Sequence, residues 1–440
     1  MSTLPAGAAP VMYAAHEKVY PREVSGRFAT LRWVAVFVLL GLFYGLPWVQ
    51  WDGRQAVLFD LPERKFYIFA LTFFPQDFYL LTWLLIIAAL TLFFVTALGG
   101  RLWCGYACPQ TVWTEVFVWM ERIAEGNWTH RIKLDRGGLT AQKLRRKVLK
   151  QVMWISFSLF TGFAFVGFFV PVRNLLPSLL AGGVGFWAWF WILFYGFATY
   201  GNAGFMREQV CKYMCPYARF QSAMFDRDTL LISYDAARGD CIDCMICVQA
   251  CPTGIDIRKG LQYECIACAA CIDACDPVMD KIGHPRGLVR YSTQAEMDGR
   301  KSRFLRPRVI MYGALLSLLI GGFAVALSLR VPVTVDVLRD RNTLYRELPD
   351  GSVEDVYSIR IINKDQSPHD FRVTTTGLAG ASVDSDMTLH PVPAEAVRTV
   401  VVRVRVPPDH AHGGQDFQVL VQAADAPRIA VRSRARFFAD

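Results

Sequence analysis

Five stretches of this chain run for about twenty residues or more without a charged side chain: residues 33–51, 78–100, 151–172, 174–206 and 309–329. A helix of about 20 apolar residues crosses the hydrocarbon core, where the backbone can satisfy its polar groups only within itself. Each stretch therefore predicts a membrane-spanning helix. The fourth is overlong, and Gly182-Gly183 predicts that its helix starts near that pair. A sixth apolar stretch, 66–76, is too short to span and is broken by Pro75, so it reads as interfacial or as part of a helical hairpin. After Arg330 the pattern changes to short alternating or β-branched runs at 334–337, 357–362, 371–375, 397–406, 417–421 and 429–437. Asp350-Gly351, Pro407-Pro408 and Gly413-Gly414 punctuate them. Six or seven strands in about 100 residues predict an immunoglobulin-like sandwich.

Composition agrees: 53% hydrophobic and only 19% charged residues, with mean hydropathy +0.27, exclude a disordered chain and argue against a single soluble domain. The first 30 residues hold no hydrophobic region of the kind a signal peptide needs. The net charge of +9 reads as nucleic-acid binding or as the basic excess of cytoplasmic loops. Its distribution favours the loops. Ten basic residues lie between the second and third spans, including Lys143, Arg145, Arg146, Lys147 and Lys150, whereas the loop after span three has only Arg173. The positive-inside rule puts the N-terminus in the cytoplasm and the C-terminal 110 residues outside. The expected fold is a multidomain membrane protein: an N-terminal cytoplasmic segment (1–32), four membrane helices (33–206), a cytoplasmic ferredoxin-like domain (207–308), a fifth membrane helix (309–329) and a periplasmic Ig-like domain (330–440).

The ferredoxin expectation rests on the cysteines. All 12 lie between Cys104 and Cys275, which does not suit a disulfide framework stapling a whole secreted chain. Cys241, Cys244, Cys247 and Cys251 form one C-x2-C-x2-C-x3-C set, and Cys265, Cys268, Cys271 and Cys275 form a second. This is the spacing of two-cluster ferredoxins, in which the fourth cysteine ligates the other cluster. One 4Fe-4S cluster would use Cys241, Cys244, Cys247 and Cys275, the other Cys265, Cys268, Cys271 and Cys251. Two zinc sites are the competing reading, but the spacing differs from the usual paired C-x2-C finger. Asp276 separates Cys275 from Pro277, a departure from the ferredoxin run that bears on the turn and not on ligation.

Cys104-Gly-Tyr-Ala-Cys108-Pro109 and Cys211-Lys-Tyr-Met-Cys215-Pro216 share the pattern C-x-Tyr-x-C-P, each at the cytoplasmic end of an expected span. The repeat suggests duplication of a two-span unit. Cysteines at i and i+4 share a helix face, and the following proline predicts a kink or helix end at the second one. Brought together, the pairs would offer four soft thiolates suited to Cu(I), or dithiol redox chemistry. Small buried packing residues are the plain alternative, which repetition of the whole pattern disfavours. Histidine shows no ligand spacing within the spans. His390, His410 and His412 with Met387 are a weak outer copper candidate beside their ordinary reading as loop residues. No dinucleotide, P-loop or covalent-haem motif is present, and the spans lack ionisable residues, which argues against an ion pathway.

At these motifs the chain resembles the cytochrome c oxidase accessory proteins of the CcoG/FixG/RdxA family. The matching stretches are 20–32 (YPREVSGRFATLR), 53–77 (GRQAVLFDLPERKFYIFALTFFPQD), 101–116 (RLWCGYACPQTVWTEV), 211–226 (CKYMCPYARFQSAMFD) and 241–280. The resemblance implies a bacterial inner-membrane protein that serves maturation of a cbb(3)-type oxidase by reducing Cu(II) to Cu(I). It implies the eight ferredoxin-type cysteines as cluster ligands and Cys104, Cys108, Cys211 and Cys215 as copper-handling or redox-relay residues. Oxidase subunits, periplasmic copper chaperones and a cytoplasmic or quinol electron donor are the expected partners, with homo-oligomers allowed and nucleic acid excluded. An electron-transfer subunit of a quinol-linked reductase system and a non-redox assembly scaffold are the alternatives.

Overall fold

The computed structural model describes residues 18–340, 344–385 and 387–439. Of the expected N-terminal segment, 1–17 lie outside the described residues. The chain separates into two compact units, Met1–Phe59 with Thr82–Leu319 and Asp60–Leu81 with Ile320–Asp440.

In the first unit α1 (Arg27–Gly45) leads through two-residue strands β1 (Gln50–Trp51) and β2 (Arg54–Gln55) toward β3 (Val57–Asp60). After the segment that belongs to the second unit come α2 (Phe78–Gly99), α3 (Leu102–Tyr106), α4 (Pro109–Glu125), α5 (Trp128–Arg136) and α6 (Ala141–Val166). Among the described residues, four helices are long and apolar enough to cross a membrane: Arg27–Trp48, Pro75–Gly99, Ala141–Val166 and Pro307–Ser328. Phe37, Leu85 and Leu318 stand exposed on them, as lipid-facing residues do. The fourth expected span is divided. α7 (Val172–Leu180) stops at a turn in which Gly182 takes φ +70°, and α8 (Phe186–Thr199) runs on into a π-helical turn, Tyr200–Met206. Gly162 lets α6 and α8 touch backbone to backbone, since a Cβ there would stand 2.1 Å from the Ile192 carbonyl. Such close small-residue contacts are how helices associate in lipid, where the hydrophobic effect does not drive them together.

A second π-helical turn, Val210–Met214, leads into α9 (Pro216–Ala223). Beyond it β6 (Leu231–Tyr234), α10 (Ile246–Ala250), α11 (Ala270–Lys281), β7 (Val289–Ser292) and α12 (Gln294–Met297) build the cysteine-rich region, in which β6 pairs with β7 antiparallel. α13 (Pro307–Ser328) follows.

The second unit corrects one expectation. Residues 66–76 form no helical hairpin; β4 (Lys65–Ile68) and β5 (Leu71–Phe73) pair antiparallel. This β-hairpin and its exit are bonded to the C-terminal strands: Thr72 to Glu395, Gln366 to the Ala70 carbonyl at 2.7 Å, and Asp77 to Arg330 and Lys364 at 2.7 and 2.6 Å. Consecutive aromatic and β-branched residues such as Phe66, Tyr67 and Ile68 suit a strand better than a helix once a neighbouring sheet buries one face. The C-terminal strands are β8 (Val333–Arg339), β9 (Arg346–Glu347), β10 (Val353–Asn363), β11 (His369–Thr376), β12 (Ser382–Ser385), β13 (His390–Val392), β14 (Val397–Val406), β15 (Gly414–Ala423) and β16 (Ala430–Phe438). One sheet runs β12-β14-β10-β8 with β9 beside β10, the other β13-β11-β15-β16. Ile359 faces Val400 and Val373 faces Val421 across the ladders. Val400, Val402, Val404 and Val406 point inward, and with Tyr357, Phe371 and Phe417 they fill one core between the sheets. The six expected runs are all strands; β9, β12 and β13 are too short for alternation to reveal.

Candidate metal and redox site

Both ferredoxin-type runs wrap around cavities. One, of about 370 Å³, is lined by Cys241, Cys244, Cys247 and Cys275 with Met279 and Leu288. The other, of about 330 Å³, is lined by Cys251, Cys265, Cys268 and Cys271 with Ile257 and Ile266, and Cys247 borders it as well. The two runs share an unusual backbone. Asp243 and Met245 in the first, and Ala267 and Ala269 in the second, take φ between +53° and +60°. Left-handed residues set among right-handed ones turn successive N–H groups toward one concavity, a nest for an anionic group such as an iron–sulfur cluster. Mostly apolar walls, four thiols and a nest fit a 4Fe-4S cube in each cavity. Among the described residues, no three His, Cys, Asp or Glu side chains converge on a single ion. Arg258 borders the first cavity, held by Asp243 at 2.6 Å and Asp256 at 2.8 Å.

The C-x-Tyr-x-C-P motifs each straddle a break between helices. Cys104 lies in α3, and Cys108 caps α4 with ψ 128°. Cys211 lies in the π-helical turn, and Cys215 caps α9 with ψ 107°. The proline after each second cysteine forbids the α conformation there and then opens the next helix at its first position. The i,i+4 helix face expected for each pair is thus replaced by a helix-to-helix junction. The structure does bring the motifs together: the charge on Cys108, Cys104 and Cys215 bears on Cys211, and Cys104 and Cys211 both pack on Ile266, Cys268 and Ala270 of the second cluster loop. Burial, with the neighbouring thiols, pushes Cys104 and Cys211 up to about 12, against the pull of Arg101.

Residues the motifs did not reveal hold this junction. Arg101, buried, donates to the carbonyls of Tyr263, Cys265 and Ala218, tying the start of α3 to the second cluster loop and to α9. Gly105 lies so close to that loop that a Cβ would stand 2.8 Å from the Ile266 and Ala267 carbonyls. The Cys104 thiol donates to Gln221 Oε1 at 3.3 Å, and Gln221 donates to Thr96 at 3.2 Å. Asp273, between Cys271 and Cys275, accepts from the Phe28 and Ala29 amides in the first turn of α1, a favoured place for a carboxylate. Arg101 was legible only as a basic loop residue, and Gln221 carried no signal at all.

The outer copper candidate is not assembled. His390 is buried on β13 beside Ser385, His412 faces the Asp409 carbonyl, and the Met387 sulfur meets Arg398. Each answers a local packing need, and they do not converge.

Comparison with known proteins locates matches along the chain. A model of the Ig-like fold at the C-terminal of FixG matches residues 323–440. A 4Fe-4S dicluster domain matches 206–240 and 236–294, and a 4Fe-4S binding domain matches 81–127, so both C-x-Tyr-x-C-P motifs fall inside iron–sulfur matches. Among curated proteins, the chain is 40% identical to protein RdxB and 38% to protein RdxA of Cereibacter sphaeroides, covering 88% and 89% of this chain and 88% and 90% of theirs. It is 36% identical to the nitrogen fixation protein FixG of Rhizobium meliloti, over 84% of this chain and 82% of that protein.

Proposed function

Because the chain belongs to the FixG/RdxA family of iron–sulfur proteins, we propose that it is a membrane-bound cupric reductase for maturation of a cbb(3)-type cytochrome c oxidase. The observation that carries this reading is the packing of Cys104 and Cys211 on the loop that contains Cys268. Cys241, Cys244, Cys247 and Cys275 hold one 4Fe-4S cluster, and Cys251, Cys265, Cys268 and Cys271 the other. When bound, the clusters supply single electrons. Cu(II) is the substrate; it takes one electron and becomes Cu(I), which soft thiolates at Cys104, Cys108, Cys211 and Cys215 hold for transfer. The protein sits in the bacterial cytoplasmic membrane with the clusters inside, and the sandwich outside receives a periplasmic copper chaperone or oxidase subunit.

The reading is tested by adding Cu(II) anaerobically to dithionite-reduced protein freed of excess reductant. The expected result is reoxidation of the clusters with one Cu(I) appearing per electron, captured by a Cu(I) chelator. Cys104→Ser and Cys211→Ser should slow this step while leaving the cluster spectrum intact. Bleached clusters that stay bleached in the presence of Cu(II) would overturn it.

A further inference from the structure

Another space in the first unit is neither cluster cavity. It is a pocket of about 890 Å³ where the N-terminal turn of α1, the start of α4 and the second cluster loop meet. Trp33, Gln110, Thr114 and Glu115 line it beside Cys211 and Cys268. Trp33 also heads an almost wholly apolar groove of about 930 Å³ along α1, α4 and α6, with Phe37, Tyr44, Val116, Trp119 and Phe157 in its walls. A chamber that holds polar groups at the end of an exposed apolar groove has the shape of an amphiphile. The chamber also touches two of the redox cysteines.

The groups in the lining bear on which amphiphile. Four guanidiniums border the chamber: Arg207 pairs with Glu121 and Arg122 with Glu23, while Arg32 donates to the Cys268 carbonyl and Arg22 to the Gln249 side chain. The Glu115 carboxylate has no hydrogen bond or ion pair among the described residues. What the chamber offers a ligand is the Glu115 carboxylate as an acceptor and the Thr114 hydroxyl, beside Cys211 and Cys268. An acceptor, a hydroxyl and two redox cysteines at one place suit a headgroup that bears hydroxyls and can be oxidised.

We propose that this pocket binds a membrane quinol, ring in the chamber and prenyl tail in the groove, and that the quinol reduces the clusters. Oxidation of one quinol to quinone releases two electrons and two protons. One electron goes to each cluster, entering at the one beside Cys268, and the protons leave through the Glu115 carboxylate. The proposal supplies the donor for the cluster region and does not depend on where the electrons go next.

The experiment uses the full-length, cluster-loaded protein in detergent, oxidised, anaerobic and free of copper. Decyl-ubiquinol or menadiol should bleach the clusters, and an azidoquinone should photolabel α1 and α4. Glu115→Gln should slow quinol-driven bleaching about tenfold or more, the size expected for loss of a proton acceptor, with dithionite bleaching unchanged. Val118→Trp, which narrows the chamber, should abolish labelling while the clusters remain loaded. A wild-type protein bleached by dithionite but by neither quinol overturns the proposal, as does labelling confined to other helices or a co-purifying phospholipid that quinol does not displace. Because no copper is present, such failure leaves cupric reduction untouched, and a failed copper assay leaves this result standing.

Discussion

Cys104 and Cys211 hold equivalent places in two repeats of the same motif, yet the residue that follows differs. After Cys104 it is Gly105, pressed against two carbonyls of the second cluster loop; after Cys211 it is the half-buried Lys212. At Gly105 the first repeat lies backbone to backbone with the cluster region. A methyl group at Gly105 would have to displace main chain, which does not yield as a flexible side chain does. Gly105→Ala is expected to cost roughly 1–3 kcal/mol, the usual penalty of overpacking. The loop with Cys265 and Cys268 would bear it, so electron paramagnetic resonance of the reduced variant should show that cluster depleted and the other retained. Lys212→Ala should leave both signals intact. The repeat was plain in the sequence, but its asymmetry was not, because a glycine's use depends on what approaches it.

At the scale of the helices, the basic run in the first turns of α6 has a second role. Read along the chain, it marks a cytoplasmic loop. In the fold, Lys150 is buried on α6 and sits 3.0 Å from Glu125, while Glu121, fully buried on α4, is gripped by Arg131 on α5 at 3.2 Å and by Arg207 at 3.0 Å. Trp154 lies under both Lys150 and Arg207. Burial works to raise the Glu121 pKa, but Arg207, Lys18, Lys150 and Arg131 together outweigh it and hold the carboxyl below its ordinary range. Glu121→Gln leaves these cations without their counter-charge, a change that costs about 3–5 kcal/mol in buried pairs. A clear fall in the thermal unfolding temperature of the detergent-solubilised chain is expected. An unchanged temperature would mean that the cluster is solvated. The periodicity and the charge-free gaps located α6, but which of its lysines turn inward depends on α4, more than twenty residues earlier.

Over the whole molecule, the two units are expected to respond to pH in opposite directions. Glu121, depressed, contributes stability above its unfolded pKa that is lost as pH falls through the folded one. His369 behaves in reverse. Burial lowers its pKa, but Asp365 at 3.0 Å and Asp425 at 2.7 Å more than offset this and raise it. Its contribution is complete below the unfolded value of about 6.5 and disappears as pH rises through the raised folded value. Hydrogen exchange on the full chain should show β11 loosening toward alkaline pH and α4 loosening toward acid, with His369→Gln removing only the first trend. The β4–β5 hairpin belongs to the same scale. Its bonds to the C-terminal segment make the hairpin part of the same unit as the sandwich. By itself, the sequence determined what depends on local order: charge-free runs long enough to span, alternation within the long strands, cysteine spacing, and the break that proline forces after Cys108 and Cys215. Only the tertiary structure decided what depends on approach between distant segments: the pairing of the two thiol motifs over the second cluster loop, the inward turn of Glu121 and Lys150, and the strand form of 65–73. A short apolar run or a lone charge has no preferred state until a partner surface removes it from water.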